Sequence, residues 1–189
     1  MSESWAFPKT TDLEPLFAQV QNKDRIPSRI LGVLDSCAQG QKFAIACSGG
    51  ADSTFLTFLL FYKFPDLQDR LLLCHFNHRL RGIDSELDEK FVQEIAHTLG
   101  IPIKIGRQAS CNKADEASLR KQRLDFFKRI AINGGTPYTF LGHHTDDVAE
   151  TLLWRLPRSS TVSGLHAPKP ISKHDQLILL RPFTYLFES

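Results

Sequence analysis

The chain is predicted to fold as a doubly wound α/β domain, a mainly parallel five-stranded sheet with helices on both faces. Three observations predict it. Short apolar runs recur at residues 42–47, 71–76, 101–105, 138–142 and 177–180. The segments between most of them carry the period of an amphipathic helix. Three of the runs also end in clusters of glycine, histidine or acid. Alternation of strand and helix demands crossovers, which are right-handed and place helices on both sides of a parallel sheet.

The elements follow in order. Residues before about Asp12 read as a loose tail, and residues 26–38 as a helix entered through Pro27, whose fixed φ suits a first turn. Residues 42–47 form the first strand and 52–64 the first crossover helix, broken by Pro65-Asp66. The run Leu71-Leu72-Leu73-Cys74-His75-Phe76 is continuous enough for a strand buried on both faces. Leu87, Phe91, Ile95 and Leu99 space a helix over 85–99, stopped by Gly100. Ile101-Pro102-Ile103-Lys104-Ile105 alternates as a strand, residues 116–132 are a second amphipathic helix, and Asn133-Gly134-Gly135 ends it. Residues 138–142 are a strand, 145–156 a helix and 177–180 the last strand before Arg181-Pro182. Residues 1–40 are expected to be a tail and helix packed on a domain spanning 41–189.

Bulk properties limit the function classes. The 189 residues suffice for one domain with a sizeable core. No apolar run reaches the length of a membrane span, so no membrane partner is expected. The first residues show no basic stretch followed by an apolar core. Cys37, Cys47, Cys74 and Cys111 are widely spaced with no C-x-x-C pair, which disfavours a metal or iron–sulfur centre and suits a reducing cytoplasmic setting. The net charge of +2 neither demands nor excludes a nucleic-acid partner.

The segment Cys47-Ser48-Gly49-Gly50-Ala51-Asp52-Ser53 carries the most chemistry. It sits between a strand and a helix, where unpaired N–H groups and the positive end of the helix dipole receive phosphate. Gly49 and Gly50 open backbone conformations closed to other residues and let an anion come close. No Gly-Lys-Ser/Thr ends the motif, and the G-x-G-x-x-G spacing is absent. A bland alternative gives Ser48 and Asp52 only capping roles.

Two further clusters end strands. His75, His78, Arg79 and Arg81 form a basic rim after the second strand. His143-His144-Thr145-Asp146-Asp147-Val148-Ala149-Glu150 follows the fourth, with Asp147 and Glu150 three apart on one helical face. The adjacent histidines lack the i, i+4 spacing of a zinc helix. Asp147 and Glu150 either complement a helix dipole or make an acidic pocket for Mg²⁺ or a cationic substrate. Glu116, Arg120 and Arg123 share a helix face, which on spacing alone suits a solvated ion pair. Since ligands bind beyond the carboxyl ends of strands, the three strand ends together are the active-site candidate.

Ser48-Gly49-Gly50-Ala51-Asp52-Ser53 after an apolar strand is the signature of the PP-loop, or N-type ATP pyrophosphatase, superfamily. With Asn77-His78-Arg79-Leu80-Arg81-Gly82, the helix from Glu116 through Arg123, and Leu141-Gly142-His143-His144-Thr145-Asp146-Asp147-Val148-Ala149-Glu150-Thr151, the chain resembles the N-terminal catalytic domain of tRNA(Ile)-lysidine synthetases over residues 42–183. The resemblance implies a fold like that of the adenine nucleotide alpha hydrolases. It implies ATP and Mg²⁺ as cofactors, and L-lysine and tRNA(Ile) with a CAU anticodon as substrates. The C2 carbonyl oxygen of the wobble cytidine would attack the α-phosphate of ATP and expel pyrophosphate. The ε-amine of lysine would then attack C2 and expel AMP. On this reading Ser48, Gly49, Gly50, Ala51, Asp52 and Ser53 bind ATP, with Asp52 also positioning Mg²⁺. Arg120 or Arg123 faces the α-phosphate. Asp147 takes part in catalysis, and His78, Arg81, Glu116, His143, Asp147 and Glu150 bind lysine or tRNA.

The chain departs from the family pattern at Arg158-Ser159-Ser160-Thr161-Val162-Ser163-Gly164-Leu165, where two early glycines of an Arg-Gly-Ser-Gly-like turn are replaced. The family's C-terminal tRNA-binding domains are expected to be absent, through truncation or as a minimal form. The alternatives are another PP-loop tRNA-modifying enzyme, such as a thiolase, or a non-catalytic nucleotide- or RNA-binding module.

Overall fold

The computed structural model describes residues 10–18, 26–108, 115–142 and 169–184. Among them six strands form one sheet in the order β3-β2-β1-β4-β6-β5. The strands are β1 (Phe43–Ala46), β2 (Leu71–Asn77), β3 (Ile103–Arg107), β4 (Tyr138–Leu141), β5 (Ile171–His174) and β6 (Leu177–Leu180). The helices are α1 (Thr10–Ala18), α2 (Ser28–Ser36), α3 (Ala51–Lys63), α4 (Ile83–Leu99) and α5 (Glu116–Gly134). Every pairing is parallel except β5 with β6.

The doubly wound prediction holds, with one correction: the sheet has six strands, not five. The additional strand, β5, forms a hairpin with β6 through a turn in which Asp175 adopts φ 58°, a conformation that aspartate tolerates better than most residues. The sequence of β5, Ile-Ser-Lys-His, carries one apolar residue because it lies at the sheet edge with half of its side chains exposed. The strand near 101–105 begins later, at Ile103. The helix expected over 145–156 lies outside the described residues.

Alternation along the inner strands divides the core. Phe43, Ile45, Leu71 and Leu73 pack with α3 and α4 residues such as Leu56, Leu60, Val92 and Ile95 on one face. Ala44, Leu72 and Cys74 pack with Phe126, Phe127 and Ala131 of α5 on the other. The sequence signals give no helix before residue 26, yet α1 packs on α3. Phe17 of α1 stacks on Tyr62 at 5.4 Å and tilts against Phe58 at 5.6 Å, while the Tyr62 hydroxyl donates to the Thr10 carbonyl at 3.2 Å. Pro15 interrupts the usual helix signal there, and aromatic burial against α3 overrides it.

The sheet order brings the site together. From β1 the chain steps outward to β2 and β3, then returns to place β4 on the other side of β1. The switch point thus lies between β1 and β4, with the carboxyl ends of β2, β1 and β4 side by side.

Candidate functional site

The turn from β1 into α3 is wired by its own serines. The Ser53 hydroxyl donates to the Gly50 carbonyl at 3.1 Å and accepts from the Ser48 N–H at 3.1 Å. With that proton committed, the 3.1 Å contact between the two hydroxyls has Ser48 donating to Ser53. Ser48 Oγ in turn accepts from the Gly50 N–H at 3.3 Å. Gly50 is the N-cap of α3 and supplies no side chain to the first turn. Ser53 is therefore a brace of the loop, and the N–H groups of a first helical turn remain for an anion.

Two glycines are required by space. Gly49 has φ 91°, and a Cβ there would lie 3.2 Å from Cβ of Asp88. Gly142, just beyond β4, packs so closely on α3 that a Cβ would lie 2.9 Å from both Cα and N of Ser53. The end of β4 thus buttresses the loop backbone directly.

A cleft of about 400 Å³ opens over these strand ends. Ser48, Gly50, Asp52 and Ser53 line it from the loop, His78 and Arg81 from beyond β2, and Arg123 from α5. These are the predicted site residues that the fold brings together. Gly49 and Ala51 shape the loop without lining the cleft, whereas Glu116 and Arg120 lie exposed on the first turns of α5. No ion pair joins Glu116 to Arg120, so that spacing does not make the helix-surface pair it suggests. His143, Asp147 and Glu150 lie outside the described residues.

The basic segment after β2 divides into unlike roles. His75 is only 3% exposed and lies at the floor of the cleft rather than on its open rim. Its Nδ1 lies 2.8 Å from the Cys47 carbonyl, which can only accept, so Nδ1 carries the proton and ties β2 to the base of the loop. Asn77 is equally buried: its amide donates to the Ser85 carbonyl at 3.0 Å and to Glu89 Oε2 at 2.9 Å, and its Oδ1 accepts the Arg79 N–H at 2.8 Å. That last bond supports Arg79 at φ 54°. His78 faces the cleft, with its pKa lowered first by burial and then by the positive charge of Arg123. Arg81 is paired with Asp88 across the cleft mouth.

Glu89, Arg107 and Asp88 were not distinguished by spacing. Arg107 grips Glu89 through Nε and Nη2, and these hydrogen bonds hold the Glu89 carboxyl below the usual carboxylate range. A buried carboxylate at 89 with an arginine at 107 has no short-range sequence signature, because they meet only when β3 pairs with β2, setting Arg107 beside Asn77, and α4 brings Glu89 onto both.

On the α5 side the charges differ. Burial, then repulsion from Arg120, lowers the pKa of Arg123. No carboxylate among the described residues pairs with Arg123 or Arg120. The cysteines offer no thiolate here: burial pushes Cys74 up to about 12 and also raises Cys47. Among the described residues no group of three or more His, Cys, Asp or Glu could hold a metal ion. Asp52, exposed on the cleft wall beside the phosphate loop, is a hard oxygen donor of the kind that holds Mg²⁺ jointly with phosphates and water.

A glycine loop at the switch point of a parallel sheet, lined across the cleft by an arginine with no carboxylate partner among the described residues and lacking the P-loop lysine, defines a nucleotide-phosphate site outside the Walker class. The chain belongs to the PP-loop domain family, which matches residues 21–188. Among curated relatives, the tRNA(Ile)-lysidine synthase of Geobacter sulfurreducens is 38% identical over 138 residues, covering 70% of this chain and 29% of the relative. That of Chlorobaculum tepidum is 35% identical over 154 residues, covering 78% and 46%. The chain spans between 29% and 46% of the length of these curated relatives. Among solved structures, a tRNA thiolase of Methanococcus maripaludis superposes with a TM-score of 0.62 at 21% identity, covering 79% of this chain and 54% of the other. The NH3-dependent NAD synthetase of Campylobacter jejuni superposes with a TM-score of 0.50 at 12% identity, covering 95% and 69%. These two likenesses establish the shared fold.

Proposed function

We propose that this chain is the ATP-cleaving domain of a tRNA(Ile)-lysidine synthetase. It would adenylate the wobble cytidine at C2 and then join L-lysine there, releasing pyrophosphate and AMP. The observation that carries the reading is the convergence of the braced Ser48–Ser53 loop, Asp52 and Arg123 on one cleft. Its support from relatives is the 33% to 38% identity to four synthases of that name.

In this reading the N–H groups of the loop and of the first turn of α3 hold the β- and γ-phosphates, with Ser48 and Ser53 bracing the loop, which leaves the α-phosphate to project along the cleft. Arg123 faces the negative charge that gathers there as the cytidine O2–phosphorus bond forms and the bond to pyrophosphate breaks. Asp52 would hold Mg²⁺, which when bound neutralises phosphate charge. His78, kept neutral by burial and by Arg123, can accept a hydrogen bond from an amine or hydroxyl but adds no charge. Asp147, Glu150 and His143 are assigned to lysine by resemblance. Lysine binds as an ammonium and must lose a proton to attack, which nearby carboxylates permit. The raised thiol pKa values of Cys47 and Cys74 count against sulfur transfer through either residue.

The test is ATP–pyrophosphate exchange with an unmodified tRNA(Ile) transcript, followed by incorporation of labelled lysine. Lysine should enter the RNA only with ATP present, and Asp52→Asn should reduce exchange by about a hundredfold or more. Sulfur incorporation instead, or ATP turnover indifferent to the RNA, would overturn the reading.

A further inference from the structure

Arg181 follows β6 directly, is only 6% exposed and belongs to none of the motifs above. Its Nη1 donates to the Lys169 carbonyl and to Ser172 Oγ, both at 2.9 Å. Its Nε and Nη2 have no acceptor among the described residues, and no carboxylate there pairs with it. A guanidinium taken out of water is normally paired with an anion or a ring of acceptors. Here one nitrogen is anchored, and the rest of the fork has no acceptor among the described residues.

Its place in the fold gives the fork a purpose. Leu180 pairs with Phe140, and the next residues of that neighbouring strand, Leu141 and Gly142, line the cleft. Arg181 therefore stands at the same carboxyl-end rim, one strand beyond β4. Lys128 meets Asp175 at 2.7 Å and so pins α5 to the turn at the opposite end of β6. From Lys128 back to Arg120 the helix advances about 12 Å toward the cleft end. Arg120 and Arg123, one face of α5, thereby approach the end of β6. Burial, and after it the charge of Arg120, pushes Arg181 down to about 10, which leaves it cationic at neutral pH.

We propose that Arg181, with Arg120 and Arg123 beside it, forms a second phosphate subsite at the β4–β6 end of the rim, separate from the glycine loop. Lys169 and Ser172 act as positioning groups that turn the fork outward. The phosphate comes either from the nucleotide, beyond the part cradled by the loop, or from an RNA backbone passing over β6. Assignment to either source rests on the nucleotide and tRNA reading of the cleft; the anion site itself does not.

The experiment compares the wild-type chain with Arg181→Gln and Arg181→Lys in three titrations: inorganic phosphate followed by melting temperature, ATP by calorimetry, and an unmodified tRNA transcript over a salt series. Phosphate should raise the melting temperature of the wild type more than that of Arg181→Gln. If the nucleotide is the source, ATP binds Arg181→Gln about tenfold more weakly. If RNA is the source, the transcript arm weakens instead and its salt slope falls by about one. Arg181→Lys keeps the charge without the fork, and should lose about threefold in the same arm; it serves alone if the glutamine variant does not fold. A folded variant matching the wild type in all three titrations overturns the subsite. A wild-type chain that binds neither ATP nor transcript, yet shows the Arg181-dependent phosphate effect, overturns the proposed function and keeps the subsite.

Discussion

The two flanks of the glycine loop carry similar residues in opposite electrostatic states. On the β2–α4 flank two carboxylates are matched by arginines: Glu89 is held by Arg107 and Asn77, and Asp88 by Arg81. On the β4–β6–α5 flank Arg181 is buried and Arg123 half-buried, with no carboxylate beside them among the described residues. A fold that matches its charges on one side has the means to do so on the other. The difference teaches that the first flank holds the loop in place; in the proposed reading the second presents its cations to a ligand.

The sharpest way to break the comparison is to remove an arginine from the second flank. Arg123→Met should lower the rate of ATP–pyrophosphate exchange by about 10²–10³-fold, the usual loss when one preorganised charge donor is removed. Its melting temperature should hold or rise, since the substitution relieves burial of a charge repelled by Arg120. A large fall in melting temperature with exchange intact would make Arg123 a structural residue and erase the contrast.

On the matched flank the expectation reverses. Glu89→Ala leaves Asn77 without one acceptor and Arg107 without its partner, and should cost about 1–3 kcal/mol in urea unfolding. The loss should reach catalysis only through the position of Arg79 and His78, so the Michaelis constant for ATP should change little.

How far the sequence reveals this contrast depends on the distance over which each signal acts. The loop was legible because its glycines, serines and aspartate lie within seven consecutive residues and act through the local backbone. The doubly wound order was legible from the alternation of apolar runs, and β5 was missed because an edge strand needs little apolar content. His75 looked like part of a basic rim, yet it is buried, because strand alternation turns it away from Phe76 and toward the loop base. The close approach of Gly142 to Ser53 and the Glu89–Arg107 pair depend on strand neighbours far apart in sequence. Arg181 read as punctuation before Pro182, since nothing local tells a buried cation from an exposed one.

Acid should distinguish the matched flank by its titration. Arg107 holds the folded Glu89 carboxyl below its ordinary value. The carboxylate's contribution is therefore fully present above the unfolded-state pKa, and it is lost as pH falls through the folded one. The stability difference between wild type and Glu89→Gln should be flat near neutrality and shrink steadily on acidification below the ordinary glutamate range. A difference that grew toward low pH would mean that Glu89 is stabilised in its protonated form, contrary to its contacts.

Arg81→Met should have the smallest effect on stability, and it sharpens the comparison most finely. The pair it forms with Asp88 is matched yet exposed, with 67% and 32% of the two side chains open to water. Such pairs contribute about 0–1 kcal/mol and are weakened by salt. Asp88 also packs under Gly49, so Arg81 draws a carboxylate that lies against the phosphate loop. With Arg81 removed, that carboxylate stands unopposed near bound phosphate, and ATP affinity should fall by a few fold at low salt and recover as salt is raised. Asp88→Asn in the same background should restore affinity without restoring the pair. If Arg81 instead touched phosphate directly, Asp88→Asn would leave the loss in place, and Arg81 would belong with Arg123 and Arg181 as part of the ligand's surroundings.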